Sequence, residues 1–130
     1  MKLEHFAYNV ENPVVMTEWY SRHLGWTVAR QGGAPDYTTF LRDPQTGVMV
    51  ELYHQPSGAI PDYRSLNPFT LHIAMASDTP DADKARLLAA GAECLSDRTL
   101  DDGTRLIMLR DPFGVCLQIC RRAPGFFPAA

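Results

Sequence analysis

The sequence is poor in cysteine and lysine and has no long apolar segment. Its three cysteines are an odd number, which argues against a disulfide framework and favours free thiols in a reducing cytoplasm. The basic residues are scattered and the net charge is -3, so no basic stripe favours nucleic acid as a partner. No apolar run is long enough to span a bilayer, and no secretory signal is recognisable at the start. We therefore expect a cytoplasmic protein that contacts no membrane.

The composition is that of one folded domain. The 130 residues are 45% hydrophobic and 21% charged, which is close to the globular average. A weak internal repeat divides the chain when the sequence is compared with itself at a shift of 67 residues. Because repeats indicate duplicated units, we expect two copies of one supersecondary unit. The shift aligns His5 with His72, Ala7 with Ala74, Gly47 with Gly114 and Glu51 with Gln118.

Each copy is predicted to run β-α-β-β-β, which makes the fold class α+β. The helices are predicted over residues 13–24 and 80–90, each after an Asn or Thr cap and a Pro, and each ended by Gly. The strands are predicted over 2–9, 26–30, 38–42, 48–54, 70–76, 93–98, 105–110 and 115–120. A single domain would then consist of module 1 (1–54), a linker or mobile loop (55–68), module 2 (69–121) and a tail (122–130).

The first and last strand of each copy place one strong polar group at mid-strand, on the face opposite to the apolar residues. The apolar face, which includes Phe6 and Leu71, is expected to pack under helices. Polar groups at strand centres need a partner, because each one costs several kcal/mol if it is buried alone. The four polar residues are His5, Glu51, His72 and Gln118, and each copy separates its pair by 46 residues.

A divalent metal ion would satisfy all four groups. Two neutral imidazoles, one carboxylate and an amide oxygen suit Zn, Fe(II), Mn, Co or Ni. The alternative for each histidine is a hydrogen-bonded core residue, and the alternative for Glu51 is a pairing with a buried arginine. We favour the metal site, because all four groups occupy matching positions of the repeat.

At these residues the sequence resembles the vicinal oxygen chelate superfamily, which has the glyoxalase, bleomycin-resistance and dioxygenase fold. The strings LEHFAYNVENP, EWYSRHLGW, VMVELY, LHIAMA and RDPFGVCLQI carry the resemblance over nearly the whole chain. The resemblance implies that the two βαβββ modules build an open eight-stranded cup with helices on its outer face. It also implies that His5, Glu51 and His72 are three of the four metal ligands, with Gln118 where most members carry Glu.

This resemblance implies a glyoxalase-like lyase, isomerase or epimerase that acts on a small oxygenated substrate, an α-oxo or acyl compound, through a chelated enediolate. Gln118 argues against the fosfomycin-modifying and extradiol-dioxygenase branches, which use Glu at that position. Either Glu51, displaced from the metal, or a metal-bound hydroxide would serve as the base, and Tyr53 on the same face could donate a hydrogen bond. Cationic candidates for binding substrate carboxylates are Arg42, Arg64 and Arg105, each with surface solvation as the alternative.

The second hypothesis is a metal-free protein that binds and sequesters a drug, as in the bleomycin-resistance branch. Aromatic residues suited to line its cup are Phe40, Tyr53, Tyr63 and Phe69. Cys116 and Cys120 flank Gln118 on one face and are candidates for substrate contact, with small buried core residues as the alternative. In both hypotheses we expect a small-molecule ligand and a homodimer, because exposed sheet edges favour pairing.

Overall fold

The computed structural model describes residues 1–127, which form two helices and eight strands. The chain divides into two compact units, Met1–Pro61 (unit 1) and Asp62–Ala130 (unit 2). Each unit runs β-α-β-β-β, and its four strands form one sheet. The predicted α+β class and the duplicated module are therefore confirmed. The last three residues of the predicted tail, 128–130, lie outside the described part of the chain.

Unit 1 consists of β1 (His5–Asn9), α1 (Pro13–Leu24), β2 (Thr27–Gln31), β3 (Thr39–Arg42) and β4 (Met49–Tyr53). Its sheet has the order β1-β4-β3-β2, in which β1 lies parallel to β4 and the other neighbours are antiparallel. The helix begins as predicted. The Val15 backbone N–H donates to the Asn12 side chain at 3.1 Å, and Gly25 ends the helix in the left-handed conformation at φ 73°.

The core of unit 1 lies between α1 and its sheet. The buried face of the helix follows the i, i+3, i+4, i+7 spacing and consists of Pro13, Met16, Thr17 and Tyr20. Val15 belongs to the apolar stripe of the sequence but is 46% exposed, since it lies about 100° around the helix from Met16.

Unit 2 consists of β5 (Ile73–Ala76), α2 (Pro80–Ala89), β6 (Glu93–Thr99), β7 (Arg105–Arg110) and β8 (Cys116–Arg121). Its sheet repeats the arrangement of unit 1, with the order β5-β8-β7-β6 and β5 parallel to β8. Thr79 occupies the N-cap position of α2 as predicted, but its side chain makes no cap hydrogen bond. Leu87 on the inner face of α2 is 1% exposed, and the helix packs over β7 and β8.

The first strand of each sheet is shorter than predicted. β1 begins at His5, where pairing with Met49 starts, and β5 begins at Ile73. Phe6 lies on an edge strand, outside the strands that α1 mainly covers, and Leu71 precedes β5. The prediction that both pack under helices is wrong, because they are 36% and 39% exposed.

The segment between the modules is anchored to unit 2 in its second half. The Arg110 guanidinium is buried and donates to three backbone carbonyls, those of Tyr63 (2.6 Å), Gly114 (2.8 Å) and Leu66 (3.0 Å). Carbonyl oxygens can only accept, so a buried arginine is a suitable partner for three of them. Residues 62–68 therefore form a wall of unit 2. The first half of the predicted linker is held by unit 1, because the Asn9 side-chain amide donates to the carbonyls of Gln55 (2.9 Å) and Gly58 (3.1 Å) and its oxygen accepts from the Gln55 N–H at 2.8 Å.

Neither described helix has the length and apolar character needed to cross a membrane.

Candidate functional site

The outward face of the unit 1 sheet brings His5 and Glu51 together. Ala7 on β1 pairs with Glu51 on β4, so His5, two residues earlier, lies on the same face. The His5 Nε2 atom is 3.3 Å from the Glu51 Oε2 atom. The two side chains are half-buried rather than enclosed, with 31% of the His5 side chain and 20% of the Glu51 side chain exposed.

The other ring nitrogen of His5 is also engaged. Its Nδ1 atom is 2.9 Å from the Glu4 Oε2 atom, and the ring edge packs against Phe40 with 5.4 Å between centroids. An ionised carboxylate only accepts hydrogen bonds, so Glu4 places the ring proton of His5 on Nδ1. In a neutral imidazole the Nε2 lone pair then faces the Glu51 carboxylate. Two acceptors at this distance repel each other unless a cation or a second ring proton lies between them.

The distance fits two ligands of one metal ion. Bonds of 2.0–2.1 Å to nitrogen and oxygen at a tetrahedral angle place two ligand atoms roughly 3.3 Å apart. Ligating histidines also commonly donate their second N–H to a carboxylate or a carbonyl, as His5 does to Glu4. Within either unit, over residues 1–127, no three His, Cys, Asp or Glu side chains form a group that could hold a metal. Metal ligation by His5 and Glu51 stays a prediction.

Unit 2 repeats the strand register of this pair at His72 and Gln118. Ala74 pairs with Gln118, which places His72 two residues before that pair, as His5 is before Ala7. His72 lies just before β5, and its Nδ1 atom donates to the Pro68 carbonyl at 2.8 Å. A carbonyl cannot donate, so the neutral ring again keeps its free lone pair on Nε2. The Gln118 Oε1 atom accepts from the Cys120 thiol at 2.9 Å and retains a second lone pair.

Three of the residues predicted to surround the metal ion lie on the same face of the unit 1 sheet as Glu51. Tyr53 lies two positions beyond Glu51 on β4 and is half-buried, so it is on the Glu51 side of the sheet. Phe40 pairs directly with Glu51, and Arg42 pairs with Met49 at the exposed end of β3. Tyr53, Phe40 and Arg42 therefore lie on one face with His5 and Glu51.

The other cationic candidates have protein partners. Arg105 forms ion pairs with Asp97 at 2.7 Å and Asp81 at 2.9 Å. Arg64 donates to the Pro112 carbonyl at 2.9 Å and lies 3.6 Å from a carboxylate oxygen of Glu93. A role for either arginine in substrate binding stays a prediction.

Tyr63, Cys116 and Cys120 are buried. Burial raises the pKa of both thiols, which disfavours the thiolate needed for metal binding or nucleophilic attack. Cys120 acts on the site through its hydrogen bond to Gln118. Contact of these three residues with substrate stays a prediction.

A groove of about 330 Å³ opens on the Gln118 face of unit 2. Its apolar lining is Pro68, Phe69, Leu95, Leu106 and Met108, and its polar lining is Ser96, Arg98 and Gln118. We call this feature the unit 2 groove. Of these residues, only Phe69 and Gln118 were predicted site residues.

The pairing of the strands would have indicated two of the groove residues that were not predicted, Ser96 and Met108. Met108 pairs with Gln118, and Ser96 pairs with Met108, so the three form one row across β8, β7 and β6. The register shift between Cys94 and Ser96 is a bulge that no sequence pattern indicated, and Leu95 lies within it.

The fold comparisons agree with this duplicated architecture. A solved glyoxalase family protein from Enterococcus faecalis is 24% identical, with a TM-score of 0.70 over 92% of this chain and 97% of that one. A lactoylglutathione lyase from Agrobacterium tumefaciens is 15% identical, with a TM-score of 0.70 over 97% of both chains. An antibiotic-binding protein from Streptomyces sp. CB03234 is 18% identical, with a TM-score of 0.70 over 92% of this chain and 93% of that one. At these identities the likeness shows the fold alone.

No curated protein matches the sequence. The family model described as a glyoxalase-like domain matches residues 5–120, which include all four predicted metal ligands. The family model thus covers the strands that carry the resemblance noted in the sequence. The chain belongs to the glyoxalase-like domain family, in the vicinal oxygen chelate superfamily.

Proposed function

We propose that this protein is a metal-dependent lyase, isomerase or epimerase that acts on a small α-oxo or acyl substrate. The observation that carries the proposal is the facing pair of His5 Nε2 and Glu51 Oε2 at 3.3 Å, with the opposite ring nitrogen of His5 held by Glu4. His72 and Gln118 occupy the equivalent positions of unit 2, and the Pro68 carbonyl accepts from His72 Nδ1 as Glu4 does from His5.

The proposed ligands of a divalent metal ion are His5, Glu51, His72 and Gln118. When bound, Zn, Ni, Co, Mn or Fe(II) would act as a Lewis acid toward substrate oxygens. Two neutral imidazoles and a neutral amide leave Glu51 as the one anionic ligand, so the proposed site with a divalent ion has a net charge of +1. Such a site favours an anionic substrate oxygen.

Glu51 is the proposed base, and Tyr53 is the proposed hydrogen-bond donor. The Glu51 carboxylate is accessible enough to meet a substrate C–H, since 20% of its side chain is exposed. The Tyr53 hydroxyl can donate to an oxygen on which negative charge develops. Phe40 limits the freedom of the His5 ring, because the two rings are in edge-to-face contact.

The first experiment measures metal content. Protein freed of metal with a chelator is reloaded with Zn, Ni, Co, Mn or Fe(II), desalted and analysed by mass spectrometry. We expect stoichiometric metal in the wild type and in the control His23→Ala, and its loss in His5→Ala and His72→Ala. A wild type that retains none of the five metals would overturn the enzyme proposal.

The second experiment tests Glu51 as the base. A panel of 2-oxoacids, thiol adducts and acyl-CoA compounds is incubated in deuterated water, and exchange at the substrate carbon is followed by NMR. Glu51→Gln should remain folded and lose the exchange that the wild type catalyses. Unchanged exchange in this variant would exclude Glu51 as the base.

The second candidate function is small-molecule binding without metal. The unit 2 groove favours it, because a concave surface with a mainly apolar lining and few polar groups is typical of ligand sites. The antibiotic-binding protein from Streptomyces sp. CB03234 shares the fold. Thermal stabilisation by a small molecule in excess chelator, with no metal retained by the wild type, would support this candidate over the enzyme.

The homodimer and the cytoplasmic location stay predictions. Cys94, Cys116 and Cys120 are free thiols, which agrees with a reducing compartment. Light scattering at micromolar concentration tests the dimer, and a monomeric mass would contradict it.

A further inference from the structure

We infer that the unit 2 groove binds a small molecule with a flat apolar body and one anionic group, and that Arg98 is the residue that holds the anion. The inference rests on the proposed small-molecule function and specifies the chemical class of the ligand. Arg98 entered none of the site assignments made from the sequence.

Arg98 differs from Arg110 and Arg105, two arginines of unit 2 whose side chains are held by other residues. Arg110 is saturated by three carbonyls, and Arg105 is held by two carboxylates. Over residues 1–127, the Arg98 side chain has no hydrogen bond or ion pair, and it is exposed at the groove. A guanidinium offers five donors in a planar fork that matches a carboxylate in two parallel hydrogen bonds. Its donors therefore remain for a ligand.

Among the described residues that line the groove around Arg98, none is acidic. The other polar groups of its lining are the neutral Ser96 hydroxyl and Gln118 amide. Strand register places Arg98 opposite Leu106, in the row next to Ser96, Met108 and Gln118. An anion bound by Arg98 would thus meet hydrogen-bonding groups on one side and apolar side chains on the other.

The apolar lining defines the rest of the ligand. Met108 forms part of the floor and is 5% exposed, whereas Phe69 is 80% exposed and Leu95 is 41% exposed. The bulge at Leu95 and the Pro68–Phe69 segment border the groove. Exposed apolar surface of this kind gains free energy when a ligand covers it, and an aromatic ring favours a flat ligand.

The test uses two probes of nearly equal shape, 2-naphthoate and 2-naphthamide, which differ in charge. Their Kd values are measured by ligand-detected NMR titration on full-length protein kept metal-free with a chelator. Because a hydrogen-bonded charge pair is lost, Arg98→Gln should weaken 2-naphthoate by about tenfold. It should change 2-naphthamide by less than about twofold, and Arg98→Lys should restore part of the 2-naphthoate affinity.

The matched control is Arg121→Gln. Arg121 is exposed, carries the same charge and pairs with Arg105, whereas its neighbour Cys120 pairs with Leu106 of the groove, so Arg121 lies on the opposite face of the sheet. This variant should leave both affinities unchanged. Phe69→Ala, which removes an exposed ring without disturbing the core, should weaken both probes alike.

The outcomes separate this inference from the proposed function. Equal effects of Arg98→Gln on both probes, or equal effects of Arg98→Gln and Arg121→Gln, would overturn the anion assignment. Failure of the wild type to bind either probe would overturn the groove as a binding site. Neither result alters the metal measurement on His5→Ala. Conversely, a wild type that retains no metal but shows the selective Arg98 effect would overturn the enzyme proposal and support the inference.

Discussion

Replacement of Gly114 by alanine should destabilise this protein strongly, because two independent constraints meet at that residue. Gly114 has φ +97°, a conformation that L-residues rarely adopt. A Cβ atom there would also lie 2.7 Å from the Arg64 backbone nitrogen and 3.0 Å from its Cα atom. Real Cβ atoms keep a longer distance, so the backbone at Arg64 must shift in Gly114→Ala.

A shift of the Arg64 backbone costs free energy in any direction. The residues on either side of Arg64 are fixed, since Arg110 binds the carbonyls of Tyr63 and Leu66 as well as that of Gly114 itself. The backbone strain of an alanine at positive φ costs about 1–2 kcal/mol. Overpacking against a fixed neighbour adds about 1–3 kcal/mol. We therefore expect a loss of about 2–5 kcal/mol in the free energy of unfolding.

Gly91→Ala is the matched control. Gly91 has φ +94° in the same unit, but a Cβ atom there would make ordinary contact with Pro112 Cγ at 3.5 Å. This variant should lose about 1–2 kcal/mol from backbone strain alone. Urea unfolding measures both losses, and the Tm of Gly114→Ala should be lower than that of Gly91→Ala by about 5–10 °C. Equal losses in the two variants would refute the clash with Arg64.

Three further perturbations test other parts of the structure. Asn12→Ala should lower the free energy of unfolding in urea by about 1 kcal/mol, because the Asn12 side chain accepts a hydrogen bond at the start of α1. Thr79→Ala should lower it by less, because the Thr79 side chain makes no such bond to α2, and equal losses would contradict this. Hydrogen bonds from Arg105 and Lys84 lower the pKa of Asp97 to about 2. Their stabilising effect is therefore present above about pH 4 and is lost as pH falls toward 2. Thermal melts should show Asp97→Asn about 1 kcal/mol less stable at pH 7, with a gap that closes below pH 4. A gap that persists at pH 2 would exclude the ion pair as its cause.

The repeat made the fold and the matching positions of His5 and His72, and of Glu51 and Gln118, predictable from sequence. Aligning His5 with His72 and Glu51 with Gln118 required no knowledge of strand pairing. Both units then place the second residue of each pair opposite an alanine, Ala7 or Ala74, in the same parallel register. Since side chains alternate along a strand, an odd shift of either register would have separated the pairs onto opposite faces.

The hydrogen bonds that orient His5 and His72 were not predictable in this way. Glu4 is next to His5 in sequence, but the partner of His72 is a backbone carbonyl, at Pro68. Any residue has such a carbonyl, so composition carries no signal for it. The anchoring of residues 62–68 by Arg110 was hidden for the same reason, since all three of its partners are carbonyl oxygens.

The unit 2 groove offers an explanation for the neutral residue at position 118. Most members of the superfamily that the sequence resembles carry Glu there, and a carboxylate would lie in the same groove as Arg98. It would attract the guanidinium as an internal partner and would repel an incoming anion. Gln118 keeps an oxygen for the proposed metal while it leaves Arg98 without a competing charge. We propose that Gln118 and Arg98, whose side chain has no partner over residues 1–127, together favour the anionic ligand inferred for the unit 2 groove.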